Sequence, residues 1–176
     1  MFESMSKEVA FLPFTGRQIT KFSSDGLFSI TEAKADDVPM LVAKNYFDAG
    51  ICGTDSIVEY GKVFETRINL PFSACEMAFA GKLENKEAFM QRKLKIYATK
   101  FPNTLLRYLE ADGQDVNTIS ILPLRGGVEM AATCNIADAI FDIVESGQTL
   151  KENGLEVYKT VFPISAEFIR NGQESI

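Results

Sequence analysis

The sequence predicts an α/β protein with mostly parallel sheets covered by helices. Short apolar runs of strand length alternate along the chain with segments of helical spacing, and turn residues punctuate nearly every change. The 176 residues, 46% hydrophobic, suffice for one ordinary domain or two small lobes with a packed core.

Residues 8–14 form an apolar run ending at Pro13, and residues 27–33 another that follows Asp25-Gly26, so both read as strands. Asp36-Asp37-Val38-Pro39 supplies a capping carboxylate and an early-turn proline, after which Leu41, Val42, Tyr46 and Phe47 fall on helical spacing. Residues 49–53 then read as a small strand, 54–60 as a helix closed by Gly61, and 63–70 as a strand. Strands are expected at 76–80 and 94–99, a helix at 103–111, strands at 116–122 and 138–144, and helical stretches at 128–134 and 149–153. Gly154 stops the last helix, and residues 155–170 are again strand-like. The polar stretch 81–92 is the one compositional shift and marks a lobe boundary or excursion.

Bulk properties narrow the chemistry. Eighteen Lys and Arg against 24 Asp and Glu give a net charge of -6, without the basic footprint of a nucleic-acid binder. Histidine is absent, which removes the commonest transition-metal ligand and the commonest general base, and with them zinc enzymes and hydrolases of the triad type. Cys52, Cys75 and Cys134 are far apart and each flanked by apolar residues, so they read as buried thiols of a reducing compartment. No run approaches the ~18 apolar residues of a membrane span and the N-terminus has no signal-peptide core, so a cytoplasmic location is expected.

The informative segment is Asp138-Ala-Ile-Phe-Asp-Ile-Val-Glu-Ser-Gly-Gln-Thr-Leu150, a hydrophobic strand that ends in acidic residues and opens onto a glycine turn before a helix. Free N–H groups at such a turn favour an anion, Gly147 lets the backbone approach a phosphate, and Ser146 and Thr149 add hydroxyls. Carboxylates do not ligate phosphate, but they accept hydrogen bonds from ribose hydroxyls or hold a magnesium ion that bridges pyrophosphate oxygens. Asp138 and Asp142, four apart, share a strand face, with Asp142 and Glu145 nearest its exit. The bland alternative is that Glu145-Ser146 only caps a helix.

This loop resembles the phosphoribosyl-pyrophosphate loop of the ATP phosphoribosyltransferase family. Asp37-Val38-Pro39, Asp48-Ala-Gly-Ile-Cys-Gly-Thr-Asp55, Lys100-Phe-Pro-Asn103 with Arg107-Tyr108, Gly127-Val-Glu129 and Thr149-Leu-Lys-Glu-Asn-Gly-Leu155 follow in the family's order, so the resemblance covers residues 34–170. It implies two α/β lobes around a cleft, like a periplasmic binding protein. Lobe I would comprise residues 1–76 with 158–176 on the acceptor side, and lobe II residues 77–157 on the phosphoribosyl pyrophosphate side. The implied reaction joins the ribose 5-phosphate of phosphoribosyl pyrophosphate to N1 of ATP and releases pyrophosphate, the first step of histidine biosynthesis, with Mg2+. Alternatives are a phosphoribosyltransferase with another nitrogen-heterocycle acceptor and a non-catalytic ligand-binding or regulatory module.

Within the resemblance, Asp138 and Asp142 would hold ribose or metal, with Glu129 assisting at the ribose or standing as a helix-surface carboxylate. Glu145, Ser146, Gly147, Gln148 and Thr149 would surround the 5-phosphate, and Gly16 and Arg17 the nucleotide or pyrophosphate. Arg125 would neutralise pyrophosphate or lie exposed; Lys100 and Arg107 serve pyrophosphate or solvation; Asp55 is a ligand or a helix cap. The chain departs from the family's pattern where Leu12-Pro13-Phe14-Thr15-Gly16-Arg17 lacks a lysine, where Gln148 replaces threonine or alanine, where Arg125 precedes Gly126-Gly127, and where the turn at residues 23–26 replaces a long first helix. The family's longer form carries a C-terminal regulatory domain, so the resemblance is to the short form. That form implies an oligomer and a histidyl-tRNA-synthetase-like regulatory partner, which would cover apolar surface left by the missing helix.

Overall fold

The computed structural model describes residues 19–71 and 75–172. The strand expected at 8–14 and the pair Gly16 and Arg17 lie outside the described residues.

The chain first makes a hairpin of β1 (Thr20–Phe22) and β2 (Ser29–Thr31), joined by the expected turn, in which the Gly26 N–H donates to Ser23 O at 3.0 Å. Helix α1 (Val38–Ala43) follows, with Pro39 in its first turn and Val42 buried. It is shorter than its spacing suggested: Tyr46 and Phe47 fall in the turn beyond it and are exposed, and Asp37 makes no side-chain cap. Strand β3 (Ala49–Gly53) and helix α2 (Thr54–Tyr60), closed by Gly61, match the reading to the residue. Gly50 has a steric reason, because a Cβ there would meet Val38 Cγ1 at 2.4 Å and force α1 off β3.

Strand β4 (Thr66–Asn69) ends the first stretch, and β5 (Cys75–Gly81) enters a different sheet. The polar excursion is a 3-10 turn at Leu83–Asn85 followed by α3 (Lys86–Met90). Then come β6 (Ile96–Thr99), α4 (Pro102–Ala111), β7 (Ser120–Pro123), α5 (Val128–Thr133), β8 (Ala139–Val144) and α6 (Gln148–Glu152). The terminal apolar run is two strands, β9 (Glu156–Ile164) and β10 (Ala166–Arg170), and they belong to different sheets.

Besides the two-stranded β1-β2 hairpin, the larger sheet has the order β7-β6-β8-β5-β9 and the smaller β3-β10-β4, so the chain folds as two α/β lobes, the larger sheet mixed and the smaller antiparallel. The expectation of mostly parallel pairing is corrected here. Among the described residues, parallel ladders are confined to β6 with β7 and β6 with β8, where α4 and α5 provide the crossovers. Strands β3 and β4 do run in the same direction, but β10 returns between them and is antiparallel to both. Strand β5 is antiparallel to β8 and β9. Alternation of strand and helix thus specifies direction, while adjacency depends on strands that return from far along the chain.

The larger sheet is buried on both faces. Met77, Phe79, Tyr97 and Phe141 pack under Leu105 and Leu109 of α4, while Ala80, Ala98 and Ile140 pack under Val128 and Ala131 of α5 and Leu150 of α6. Phe79 is the hub of the first face, with ring centroids 4.9 Å from Phe141, 5.1 Å from Phe89 and 5.3 Å from Tyr108. The small sheet has a modest core of Val42, Cys52, Ile57, Phe64 and Ile169. Inside it, buried Glu167 is gripped by Arg67 through two hydrogen bonds of 2.7 Å and by the Thr54 hydroxyl at 2.7 Å.

Candidate active site at the carboxyl end of strand β8

Strand β8 leaves the core as Ala139, Ile140 and Phe141, all buried, and emerges at Asp142. Its exit opens into a cleft of about 280 Å³ lined by Glu129, Asp142, Glu145, Ser146, Gly147 and Thr149, with Ala78, Ala80 and Ile140 at its base. Alanines on β5 give room where a larger side chain would fill the space. A cleft at the carboxyl end of a parallel strand is where α/β folds commonly bind ligands.

Gly147 has φ of +69°, the left-handed region that a glycine occupies without a Cβ penalty, and a turn of this hand carries the chain from β8 into α6. The Lys151 N–H is bonded to Gly147 O at 3.1 Å, so the N–H groups before it precede the helix ladder. The Ser146 hydroxyl accepts weakly from the Gln148 N–H at 3.4 Å. Thr149 lines the cleft, whereas the Gln148 amide turns along the helix and donates to Glu152 at 2.8 Å. Gln148, expected at the phosphate, does not line the cleft.

Asp142 is the electrostatic focus. Burial first, then Glu129 and Asp55, push its carboxyl up to about 6, although its Oδ1 accepts from the Ile143 N–H at 2.8 Å and Lys100 offsets part of the rise. Asp55, across the gap on α2, is also raised, chiefly by burial. A cation or a hydroxyl donor entering the cleft would favour the ionised form of Asp142.

Asp138 does not share this site. Its carboxylate accepts from the Lys95 and Ile96 N–H groups at 2.8 and 2.9 Å, at the opposite end of β8, where it closes the start of β6. The four-residue spacing put the two aspartates on one face, but a strand separates them lengthwise, and unpaired N–H groups at the start of β6 capture the first. Arg125 is exposed between β7 and α5 and does not line the cleft. Arg107 donates to Val58 O on α2, so it joins the lobes. Of the cysteines, Cys52 is buried, its thiol pushed up to about 12 by burial, but Cys75 is half-buried and Cys134 exposed, which corrects the reading of all three as buried.

Glu59 was not legible in the sequence. From α2 its carboxylate accepts from the Asn103 N–H at 3.0 Å and from the Thr104 N–H and hydroxyl at 2.8 and 2.7 Å, capping α4 from the other lobe. Cap motifs are recognised by local spacing, and this partner is 44 and 45 residues distant. Among the described residues, no three His, Cys, Asp or Glu side chains converge as a metal-binding group. No helix among them is long and apolar enough to cross a membrane.

ATP phosphoribosyltransferase of Caldicellulosiruptor bescii is 42% identical over 78% of this chain, which spans 65% of that protein's length. The corresponding protein of Clostridium kluyveri is 38% identical over 89% of this chain and 69% of its own length. Among solved structures, an ATP phosphoribosyl transferase (HisG:HisZ) complex from Thermotoga maritima superposes with a TM-score of 0.76 at 32% identity, covering 93% of this chain and 76% of that one. A histidine kinase sensor domain with similarity to periplasmic binding proteins shares only the fold, at a TM-score of 0.51 and 12% identity over 78% of this chain and 62% of that one. The family model described as HisG, ATP phosphoribosyltransferase, matches residues 34–175, and together with these relatives it makes this chain a member of the ATP phosphoribosyltransferase family.

Proposed function

We propose that the chain transfers the ribose 5-phosphate of phosphoribosyl pyrophosphate to N1 of ATP with release of pyrophosphate, the first step of histidine biosynthesis. The observation that carries this reading is the meeting, in one cleft, of a glycine turn and three carboxylates, Glu129, Asp142 and Glu145. The Ser146 to Thr149 turn would receive the 5-phosphate, with Glu145 at its rim. Asp142 would accept from a ribose hydroxyl, with Glu129 beside it. Asp55, raised by burial on the facing lobe, would border the acceptor. Lobe II is taken as residues 75–164, which contain every strand of the larger sheet, and lobe I as the stretch before it together with β10; the return crossing expected at residue 158 is corrected to the turn between β9 and β10, because β9 pairs with β5 through Ile164.

The donor set suits Mg2+ only as a guest of the substrate. A hard divalent ion prefers oxygen ligands and keeps several waters, so one carboxylate, Asp142, would suffice beside pyrophosphate oxygens. Bound there, the ion would neutralise charge on the departing pyrophosphate. The chain's own contribution is alignment and electrostatic stabilisation, since the acceptor nitrogen already carries a free lone pair. That economy accords with a chain containing no histidine.

A cytoplasmic setting and an oligomer with a histidyl-tRNA-synthetase-like regulatory subunit complete the reading, the latter supported by the likeness to the Thermotoga maritima complex. The test is pyrophosphate release from phosphoribosyl pyrophosphate, ATP and Mg2+, with and without that partner, alongside calorimetry of phosphoribosyl pyrophosphate on the chain itself. Binding and ATP-dependent release support the proposal. No heat and no thermal shift at millimolar phosphoribosyl pyrophosphate overturn it.

A further inference from the structure

Strands β6 and β8 pair in parallel with Thr99 opposite Phe141 as the last registered pair. One residue further on each strand stand Lys100 and Asp142, so the lysine leaves its strand beside the aspartate that heads the cleft. The turn holding it is fixed from both lobes. The Thr99 hydroxyl donates to Phe141 O at 2.6 Å and accepts from the Phe101 N–H at 2.8 Å, and Glu59 binds the next two N–H groups from α2. Lys100 itself reaches across the gap to Asp36, with Nζ 3.0 Å from Oδ2 and 3.2 Å from Oδ1. Both partners are substantially exposed, so the pair is weak and exchangeable.

We propose that Lys100, which stands beyond the lining of the cleft but level with Asp142, is a substrate-binding cation that leaves Asp36 to contact the pyrophosphate of the phosphoribosyl donor. The inference rests on the phosphoribosyl reading and assigns the subsite that the glycine turn does not serve. Lys100 also offsets the carboxylates Asp142 and Asp55 on the two lobes, as a cation placed between them must. In the transfer, the acceptor nitrogen's lone pair forms the bond to the anomeric carbon as the bond from that carbon to the pyrophosphate oxygen breaks. The electron pair departs on pyrophosphate, and the ammonium stabilises the negative charge collecting there. An anion-free cleft leaves Lys100 to Asp36, and the incoming polyanion outcompetes a single exposed carboxylate.

The test compares three probes, each with Mg2+, by calorimetry on the whole chain: phosphoribosyl pyrophosphate, inorganic pyrophosphate and ribose 5-phosphate. Lys100→Met should weaken the first two by tenfold or more and leave ribose 5-phosphate within twofold, Lys100→Arg should restore most of the loss, and Asp36→Asn should leave pyrophosphate binding equal or tighter. Unchanged pyrophosphate affinity in Lys100→Met overturns the assignment. So does an equal loss for all three probes, or an Asp36→Asn loss as large as that of Lys100→Met, since the ion pair would then act by holding the lobes. A wild-type chain that binds none of the three sinks the phosphoribosyl reading itself, whereas wild-type binding indifferent to Lys100 sinks only this inference.

Discussion

The two sheets are finished differently. The five-stranded sheet is packed on both faces, and a polar cleft opens at the end of β8. The three-stranded sheet is packed under α1 and α2, while the row Ile51, Phe168 and Ile68, in register across β3, β10 and β4, faces the other way, with Ile51 58% and Ile68 53% exposed. Beside β3, an apolar groove of about 640 Å³ runs past Phe28, Ile30, Leu41 and Phe168. A sheet filled on both sides can hold a site rigidly, whereas one with an open face depends on what else covers it.

That contrast breaks most visibly at the core. Phe79→Ala removes a fully buried ring with four aromatic neighbours, Phe89, Tyr97, Tyr108 and Phe141, and should cost about 3–5 kcal/mol of unfolding free energy in a denaturant titration. A loss under about 1 kcal/mol would show that the larger sheet is not the stability centre.

In the small sheet the weight falls on one ion pair. Glu167→Gln leaves Arg67 without its carboxylate and should cost about 1–3 kcal/mol, less than a fully buried pair because Arg67 is 40% exposed. Arg67 holds the Glu167 carboxyl below its usual range, with Thr54 helping. Its stabilisation is therefore complete above the unfolded carboxyl value of about 4.3 and disappears as pH falls through the depressed folded value. Thermal melts of wild type and variant should converge in acid; a gap that persists there would assign the loss to packing.

The cleft gives the next largest effects. Gly147→Val places a β-branched residue at φ of +69° and a side chain where phosphate would approach, so phosphoribosyl pyrophosphate affinity should fall about tenfold, roughly 1.4 kcal/mol. Unaltered affinity would mean that the ligand sits elsewhere. Asp142, raised to about 6, has a pH signature of the opposite sign to Glu167. Between its ordinary value of 3.8 and about 6 the folded chain holds a proton that the unfolded chain releases, so this carboxyl makes stability fall as pH rises through that window. Binding that needs the ionised form should weaken as pH drops through 6, and Asp142→Asn should abolish that step. An identical pH profile in the variant would remove Asp142 from the ligand contact.

The smallest effect is also diagnostic. Ile51→Thr on the open face should change the stability of the isolated chain by no more than about 0.5 kcal/mol if that face is solvated. A loss several times larger would show that the groove is covered in the native protein.

The sequence by itself determined the order and type of most elements, though not α3, the 3-10 turn at Val116–Thr118 or the break between β9 and β10, and it marked the glycine turn that follows β8. Local signals suffice for these: Gly53 and Gly61 bracket α2, and the step from buried Phe141 to Asp142 and then Gly147 marks a strand that leaves the core into a turn. Tertiary structure decided everything that depends on partners far along the chain. Strand β10 takes its place between β3 and β4, Asp138 turns to the start of β6, Glu59 caps a helix in the other lobe, and Lys100 comes level with Asp142. Each outcome is a hydrogen-bond or charge requirement met by a residue tens of positions away, and periodicity, which reports only which face of an element is apolar, carries no information about which distant group will meet it.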